Sequence, residues 1–519
     1  MSKETIEQKQ LVELIKRRHP TYSGNVSHWN FLWETYEGGR GWFKNNIFKY
    51  LKEGSGEFSS RVDRAYRFNH TREVVNLVNK YIFKGEIARN PAAVDELSDF
   101  WGKATRDGLN IDQFMRQVDI KSSIYGRIWV SVDSAANSQV VSLKDQKESG
   151  SLIYAYIIEP QSVLDAAFDD DGKLRWILLY EEARDDLDPF TSTGKKLDRY
   201  RLWTRDSWLL IEKKGSGEEA KAGIVSSGDN ELGEVPVFPV DAMTVGEGDF
   251  SSPALINDIA YLDRAVANYL SNLDAIIQDQ TFSQLAMPAQ GLLPGAEGYN
   301  KLVEMGTKRT FTFDGEHGAA PFYLSPDPKQ AQVILEVISK IITEIYHSVG
   351  VSGERTKTDN GAGIDNSSGV AKAYDFERVN SLLSSKASAL NRAENQLTRL
   401  VKLRSGIPVS DDPDQDPDVE YPKSFDVRSI ADEFGIAEQL AASQAPDTVR
   451  REQMRVLVNK LFPLLKKDLK ESIEKELNSY PPKSEMPVMP SPLAKKLVET
   501  NQGQPSGDGE GDNPSKEAA

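Results

Sequence analysis

Carboxylates and imidazoles are the main candidates for metal or acid–base chemistry, because the chain contains no cysteine. The lack of cysteine excludes disulfides, thiolate metal sites and cysteine nucleophiles. The histidines show no metal-ligand spacing. They are His19, His28, His70, His317 and His347. The sequence therefore predicts no histidine-based metal site.

Two acidic runs could suggest a cation site. The first, "DDDGK" at 169–173, lacks the twelve-residue ligand pattern of a calcium loop, and Asp-Gly between two strands is a hairpin signal. We expect a plain turn there. The second, "SDDPDQDPDVEYP" at 410–422, is typical of a solvated connector. Metal binding by 411–418 is the alternative.

Motifs for the common phosphate, nucleophile and metalloprotease sites are missing from the sequence. No stretch fits G-x-x-x-x-G-K-[ST], G-x-S-x-G or H-E-x-x-H. We therefore predict no catalytic residues, no cofactor, no metal and no enzymatic activity. A catalytic pair of carboxylates that the fold brings together from distant positions would not be recognised by such motifs. The alternative is a carboxylate-based enzyme that processes nucleic acid or carbohydrate; a helical scaffold or adaptor unrelated to viruses is a third hypothesis.

A glycine-rich segment, "SVGVSGERTKTDNGAGIDNSSGVAKAY" at 348–374, lies between two helical patterns. Its glycines make backbone rearrangement cheap. It carries the basic residues Arg355 and Lys357 and the acidic residues Glu354 and Asp359. The alternative is an ordinary surface linker.

The formal net charge of −16 argues against a protein that grips nucleic acid, because such grip depends on clustered Lys and Arg. Either the chain does not contact nucleic acid, or it contacts nucleic acid without binding it tightly. Apolar residues make up 39% and charged residues 27%, as in a soluble globular protein. No apolar run reaches the length of a membrane span, and the N-terminus has no signal-peptide pattern. We expect a cytosolic product.

The elements that would position these residues fall into two lobes and three rods. Residues 1–110 read as helices with an aromatic core, and 120–245 as alternating strands. A 3.5-residue apolar period predicts a helix over 252–280, and a four-residue recurrence predicts another over 328–349. Between them, 281–327 read as a small β-rich insertion.

The last third of the chain reads as helical. A long helix is predicted from Ser368 to Ser405, closed by Gly406. Amphipathic helices follow over 430–478, and the tail from 481 is rich in Pro, Gly, Ser and charge. The predicted fold class is α+β, mainly helical.

The order of these parts resembles the portal protein of tailed bacteriophages. The segments that carry the resemblance are "HPTYSGNVSHWNFLWETYEGG", "IYGRIWVSVD", "YIIEPQSVLDA", "SSPALINDIAYLDRAVANYLSNLD" and "SSGVAKAYDFERVNSLLSSKA". It covers roughly residues 20–475 and rests on their combined order, since none of the segments is a catalytic signature.

The resemblance implies a portal fold with wing, stem, clip and crown around a central channel. The implied parts are an N-terminal wing (1–250), stem helices (251–280 and 328–349), a clip (281–327), a tunnel loop (350–368), a long wing helix and connector (369–430), a crown (431–480) and a disordered tail (481–519). The stem seam and the long helix are the candidate contacts between subunits.

Particular residues follow from the same resemblance. DNA would face Gly353, Glu354, Arg355, Thr356, Lys357, Asp359, Gly361 and Gly363 in the tunnel loop. The channel would be lined by Asp258, Asp263, Asp274, Asp279, Glu336, Lys340 and Glu344. The clip would offer Lys301, Lys308, Arg309, Phe311 and Phe313.

The implied function is a ring, usually of twelve subunits, at one capsid vertex of the virion. The ring would be a head–tail connector through which double-stranded DNA passes without sequence specificity during genome packaging and ejection. The implied partners are the terminase large subunit, major capsid and scaffold proteins and a head–tail adaptor, with no membrane. Assembly would take place in the host cytoplasm.

Overall fold

A computed structural model of the protein describes residues 8–90, 94–134, 153–186, 188–215, 221–243, 250–281, 284–288, 310–313, 320, 322–324, 329–350, 369–410, 417–422, 425, 430–461 and 467–480. The chain divides into two compact units, Met1–Phe425 and Asp426–Ala519. The fold mixes helices with several small sheets, as predicted for an α+β protein.

The N-terminal part of the first unit is helical. Its helices are α1 (Gln8–Lys16), α2 (Tyr22–Glu37), α3 (Arg40–Asn46), α4 (Ser55–Arg64), α5 (His70–Ile82), α6 (Asp95–Gly102) and α7 (Ile111–Tyr125), and strand β1 (Ala88–Arg89) precedes α6. The predicted aromatic core is present, with Trp29 and Trp42 buried. Asn110 and Gln113 form a capping box that begins α7.

Alternating strands follow α7, as predicted. They are β2 (Arg127–Ser134), β3 (Ile153–Ile158), β4 (Val163–Phe168), β5 (Leu174–Arg184), β6 (Lys196–Thr204), β7 (Ser207–Lys214), β8 (Lys221–Asp229) and β9 (Val237–Asp241). One sheet has the order β3-β2-β9, and a five-stranded antiparallel sheet has the order β4-β5-β6-β7-β8. Residues 169–173 form the predicted turn between β4 and β5, with Gly172 at φ 74°.

A close approach of the backbone joins α7 to the start of the rods. Gly126 ends α7 at φ 85°, and a Cβ there would lie 1.9 Å from the carbonyl oxygen of Ser252. The nitrogen of Leu255 donates to the carbonyl oxygen of Ser123 at 3.1 Å. These contacts hold 252–255 outside the helix, so the first rod begins at Asn257 and not at 252 as predicted.

The three predicted rods are α8 (Asn257–Thr281), α9 (Lys329–Ser348) and α10 (Gly369–Arg404). Between α8 and α9 lie three short strands, β10 (Gln284–Pro288), β11 (Thr310–Phe313) and β12 (Phe322–Leu324), in the order β11-β10-β12. After α10, β13 (Val419–Glu420) pairs with β1.

The second unit contains helices α11 (Ile430–Ala442), α12 (Asp447–Leu461) and α13 (Lys467–Asn478) in its described residues. Leu457 and Leu477 are buried there, and Gln453 donates to the Glu433 carboxylate at 2.7 Å. In the part of the chain with assigned structure, no helix is long and apolar enough to cross a bilayer.

Candidate functional site at the base of a helical hairpin

Helices α8 and α9 pack on each other along an apolar seam. Val266 and Leu270 of α8 meet Ile338 of α9, and these three side chains are at most 7% exposed. Leu273, on the same predicted seam, is also buried within the chain. The seam therefore closes the hairpin within one chain, and contact of the seam with a neighbouring subunit stays a prediction.

A second flank of α8 is covered by the N-terminal helices through a buried carboxylate. Asp263 is fully buried, and its Oδ2 accepts hydrogen bonds from the backbone nitrogen of Thr71 at 3.1 Å and from the Thr71 hydroxyl at 2.8 Å. Arg67 donates to the same oxygen at 3.3 Å and lies 3.9 Å from the ring centroid of Trp42. Burial lowers the pKa of Arg67, and Asp263 opposes that shift.

Asp263 therefore cannot line a channel in this structure, and that part of the sequence prediction is wrong. Its carboxylate is the acceptor for the first turn of α5 and for a buried guanidinium. Removing it would leave these donors buried without an acceptor, which is costly.

The same turn of α5 also binds the end of α9. Tyr346 is 2% exposed, and its hydroxyl donates to the Glu73 carboxylate at 2.6 Å. The Tyr346 hydroxyl lies 3.0 Å from Nδ1 of His70. Because the single hydroxyl proton goes to Glu73, His70 must be the donor in this pair. Residues 70–73 thus hold both helices of the hairpin at one level.

Farther along α8, a buried arginine ties it to the 48–61 region. Arg61 donates from two nitrogens to the Glu53 carboxylate, both at 2.8 Å, and to the hydroxyl of Ser271 at 2.9 Å. Its guanidinium lies 3.9 Å from the ring centroid of Tyr50. The pKa of Glu53 is lowered, chiefly by the hydrogen bonds from Arg61. This bidentate pair fixes the outer part of α8.

Two asparagines of α8 extend this attachment. Asn268 accepts from the backbone nitrogen of Phe48 at 2.9 Å and donates to the carbonyl oxygen of Asn46 at 2.9 Å. Asn272 accepts from the Tyr50 hydroxyl at 2.6 Å. Helix α8 is therefore held by apolar contacts on one flank and by polar contacts on another.

The remaining residues predicted to line a channel differ in their surroundings on α8, whereas those on α9 are all exposed. Asp258 is exposed, whereas Asp274 lies 3.4 Å from Arg64 and accepts from Gln278 at 3.1 Å. On α9, Glu336, Lys340 and Glu344 are exposed. Asp279 belongs to α8, but its side chain lies outside the described residues.

The predicted tunnel loop and most of the predicted clip residues lie outside the described residues. This applies to Gly353, Glu354, Arg355, Thr356, Lys357, Asp359, Gly361, Gly363, Lys301, Lys308 and Arg309. Phe311 and Phe313 lie in β11, which pairs in parallel with β10. The acidic stretch 411–416 is outside the described residues as well.

The start of the glycine-rich segment is packed against α10. Gly350 has φ 76°, and a Cβ there would lie 3.2 Å from the backbone nitrogen of Val379. Nη1 of Arg378 lies 3.0 Å from Nε2 of His347. The end of α9 is therefore fixed to α10 about two turns inside that helix.

Sequence reasoning missed the buried lysine that anchors α10. Lys386 is 1% exposed and its ammonium nitrogen lies 2.9 Å from Asp119 of α7. It also donates to Ser123 at 2.8 Å and to the carbonyl oxygen of Ala242 at 3.2 Å. The second oxygen of Asp119 accepts from Asn79 at 2.7 Å. Helix α7, helix α5 and the end of β9 thus all contact this charge pair, which joins them to α10.

A second buried carboxylate holds β13 to α10. Glu394 is fully buried and accepts from Arg89 and from the Tyr421 hydroxyl, both at 2.7 Å. Burial raises the pKa of Glu394, against the lowering effect of Arg89. The amide of Asn395 pairs with both backbone groups of Val419, at 2.9 and 3.1 Å.

Carboxylates also line an open groove of about 470 Å³ between α7 and the sheets. Glu181 accepts from two nitrogens of Arg201, at 2.5 and 3.2 Å, and Asp133 lies 3.7 Å from Arg404. Burial raises the pKa of Tyr156 in its wall to about 12. Each of these two carboxylates faces an arginine. Within the described ranges, no group of three or more His, Asp or Glu could hold a metal ion.

No family model matches the chain, and no curated protein matches it. A solved structure titled "Neck of empty GTA particle computed with C6 symmetry" is 13% identical, with 75% of this chain and 90% of that chain covered. The TM-score of 0.39 is too low to support an argument about this chain.

Proposed function

We propose that this chain is the portal protein of a tailed bacteriophage, a ring-shaped channel for DNA at one capsid vertex. The observation that supports the proposal is the order of the rods. Helices α8 and α9 form a hairpin, the three short strands lie between them in the sequence, and α10 follows the glycine-rich segment. The sequence resemblance implies a stem, clip, tunnel loop and wing helix in that order.

The charge of the chain suits a conduit better than a clamp. Each phosphate contact made by Lys or Arg adds salt-dependent affinity, so a strongly basic wall would hold a duplex. A chain with a net charge of −16 would repel the phosphates of the duplex, which keeps friction on moving DNA low. The proposed function therefore needs no catalysis by this chain and no cofactor.

The proposed partners are further copies of the chain, double-stranded DNA and other proteins of the capsid vertex. Twelve copies would surround double-stranded DNA, and the region of residues 281–327 would dock the terminase large subunit during packaging and a head–tail adaptor afterwards. Major capsid and scaffold proteins would contact the outer part of the ring. The protein would act in the virion after assembly in the host cytoplasm.

Imaging of the purified protein tests the proposal. Negative-stain micrographs and native mass spectrometry are expected to show closed rings with a central hole, and a mass close to twelve subunits. Monomers or dimers alone, across protein concentrations and salt concentrations, would overturn the proposal.

A further inference from the structure

An arginine framed by aromatic rings lies on the flank of α8 that faces away from α9. The Arg264 guanidinium carbon lies 4.7 Å from the ring centroid of Phe31, 5.0 Å from that of Tyr261 and 5.3 Å from that of Phe48. At 100° per residue, Arg264 is about 160° around the helix from Val266, which contacts α9. We call Phe31, Phe48, Tyr261 and Arg264 the Arg264 surface.

This surface has the composition of a protein interface. Phe48 is 57% exposed and Tyr261 is 44% exposed. Among the residues that the structure describes, no carboxylate or carbonyl accepts a hydrogen bond from the Arg264 guanidinium. Arginine and aromatic residues carry much of the binding energy in protein interfaces, and a carboxylate is the strongest acceptor for a guanidinium.

The structure offers such a carboxylate at the same level on another flank of the hairpin. Asp263, next to Arg264, bonds Thr71, and Tyr346, two residues after Glu344, bonds Glu73. Thr71 and Glu73 belong to one helical turn. Arg264 and Glu344, which neighbour the residues bound there, therefore lie at nearly the same position along the hairpin. Glu344 is 58% exposed and about 120° around α9 from Ile338.

We infer that Arg264 of one copy pairs with Glu344 of the next copy, with Phe31, Phe48 and Tyr261 enclosing the pair. This inference rests on the proposed ring. In a closed ring, neighbouring copies are related by rotation without a rise. With the hairpin along the ring axis, as the proposed stem requires, residues at the same position along the hairpin meet across the interface. Glu344 would then face a subunit and not the channel. The nearby charges on α9 are Lys340 and His347, the latter 3.9 Å from Glu344.

Charge reversal followed by restoration tests the pair. The variants are R264E, E344R and R264E/E344R, assayed by native mass spectrometry over a dilution series. Each single variant is expected to raise the protein concentration at half-assembly about tenfold, and the double variant is expected to restore most of that loss. If R264E fails to fold, E344R alone tests the pair, because Glu344 is exposed and its replacement should not disturb the fold. Circular dichroism checks that both single variants are folded.

E336R is the matched control, since Glu336 is exposed two turns away on α9. It is expected to assemble like the wild type. If wild-type rings form and E344R assembles equally well, or the double variant restores nothing, or E336R is as impaired as E344R, the inference fails while the proposed function stands. If the wild type forms no ring at all, the proposed function fails instead.

Discussion

Lys386 of the longest described helix and Asp119 of α7 form a salt bridge of 2.9 Å, in which neither side chain is more than 1% exposed. The ammonium group donates to Ser123 and to the carbonyl oxygen of Ala242, and Oδ2 of Asp119 accepts from Asn79. Oδ1 of Asp119 is buried without a hydrogen bond, so the nearby Lys386 charge is its main compensation. A buried pair of this kind tolerates the loss of one partner poorly, because the other charge is left without compensation.

Replacing Lys386 by methionine is expected to lower the free energy of unfolding by about 3 to 5 kcal/mol, because Asp119 is then a buried, uncompensated carboxylate. Urea titration followed by circular dichroism measures the change. R392M, an exposed position on the same helix, is the control and is expected to change stability by less than about 0.5 kcal/mol. Equal stabilities of K386M and R392M would contradict the prediction.

Adding a methyl group at Gly126 is expected to disrupt the junction of α7, β2 and the first rod. The residue has φ 85°, and the new Cβ would overlap the carbonyl oxygen of Ser252. G126A should cost more than about 2 kcal/mol in thermal or urea unfolding. G24A is the control, because Gly24 is helical with nothing near a Cβ, and should gain up to about 1 kcal/mol.

The Glu53–Arg61 pair is expected to make stability depend on pH. Because the pKa of Glu53 is below its ordinary value of 4.5, its stabilisation is present above that pH and is lost as pH falls through the folded-state pKa. E53Q should be about 2 kcal/mol less stable than wild type near neutral pH. That difference should shrink on acidification; a difference independent of pH would refute the assignment.

Deleting 354–366 is expected to leave ring assembly intact and to lower the DNA content of each particle, if the proposed portal function is right. The removed segment carries Arg355, Lys357 and four of the acidic or glycine positions expected to face DNA. Ring formation by native mass spectrometry and encapsidated DNA by quantitative amplification are the two measurements. Full DNA content in the deletion variant would remove the segment from the mechanism.

Local periodicity predicted the rods well. The apolar recurrence placed the second rod, and the run without Gly or Pro placed the third, within one residue of their observed starts at Lys329 and Gly369. The start of α8 was wrong by five residues, because the Ser-Pro signal at 252–253 is overridden by packing on Gly126, which is distant in sequence. Strand β8 lies within the predicted strand region 120–245 but has no apolar alternation of its own, since it is a mostly exposed edge strand.

The buried charges of Asp263 and Lys386 could be predicted less well, because their partners lie more than a hundred residues away. Asp263 reads as an off-seam acid, yet the small residues Ala260 and Ala267 beside it are fully buried and mark a second covered flank. Lys386 had a similar signal, as it lies on the same arc of α10 as the buried Leu383 and Leu390. Which carboxylate would meet each cation could come only from the tertiary structure.

The shared turn at residues 70–73 has a mechanical consequence. Helix α8 is 25 residues long, so it is a lever of about 37 Å whose far end carries the small three-stranded sheet. A sideways push on that sheet becomes a torque at Thr71 and Glu73, where short, charge-assisted hydrogen bonds resist it for both arms together. Resistance of the hairpin base to such a load thus depends on four residues of α5, together with the attachments of Ser271, Asn268 and Asn272 farther along α8.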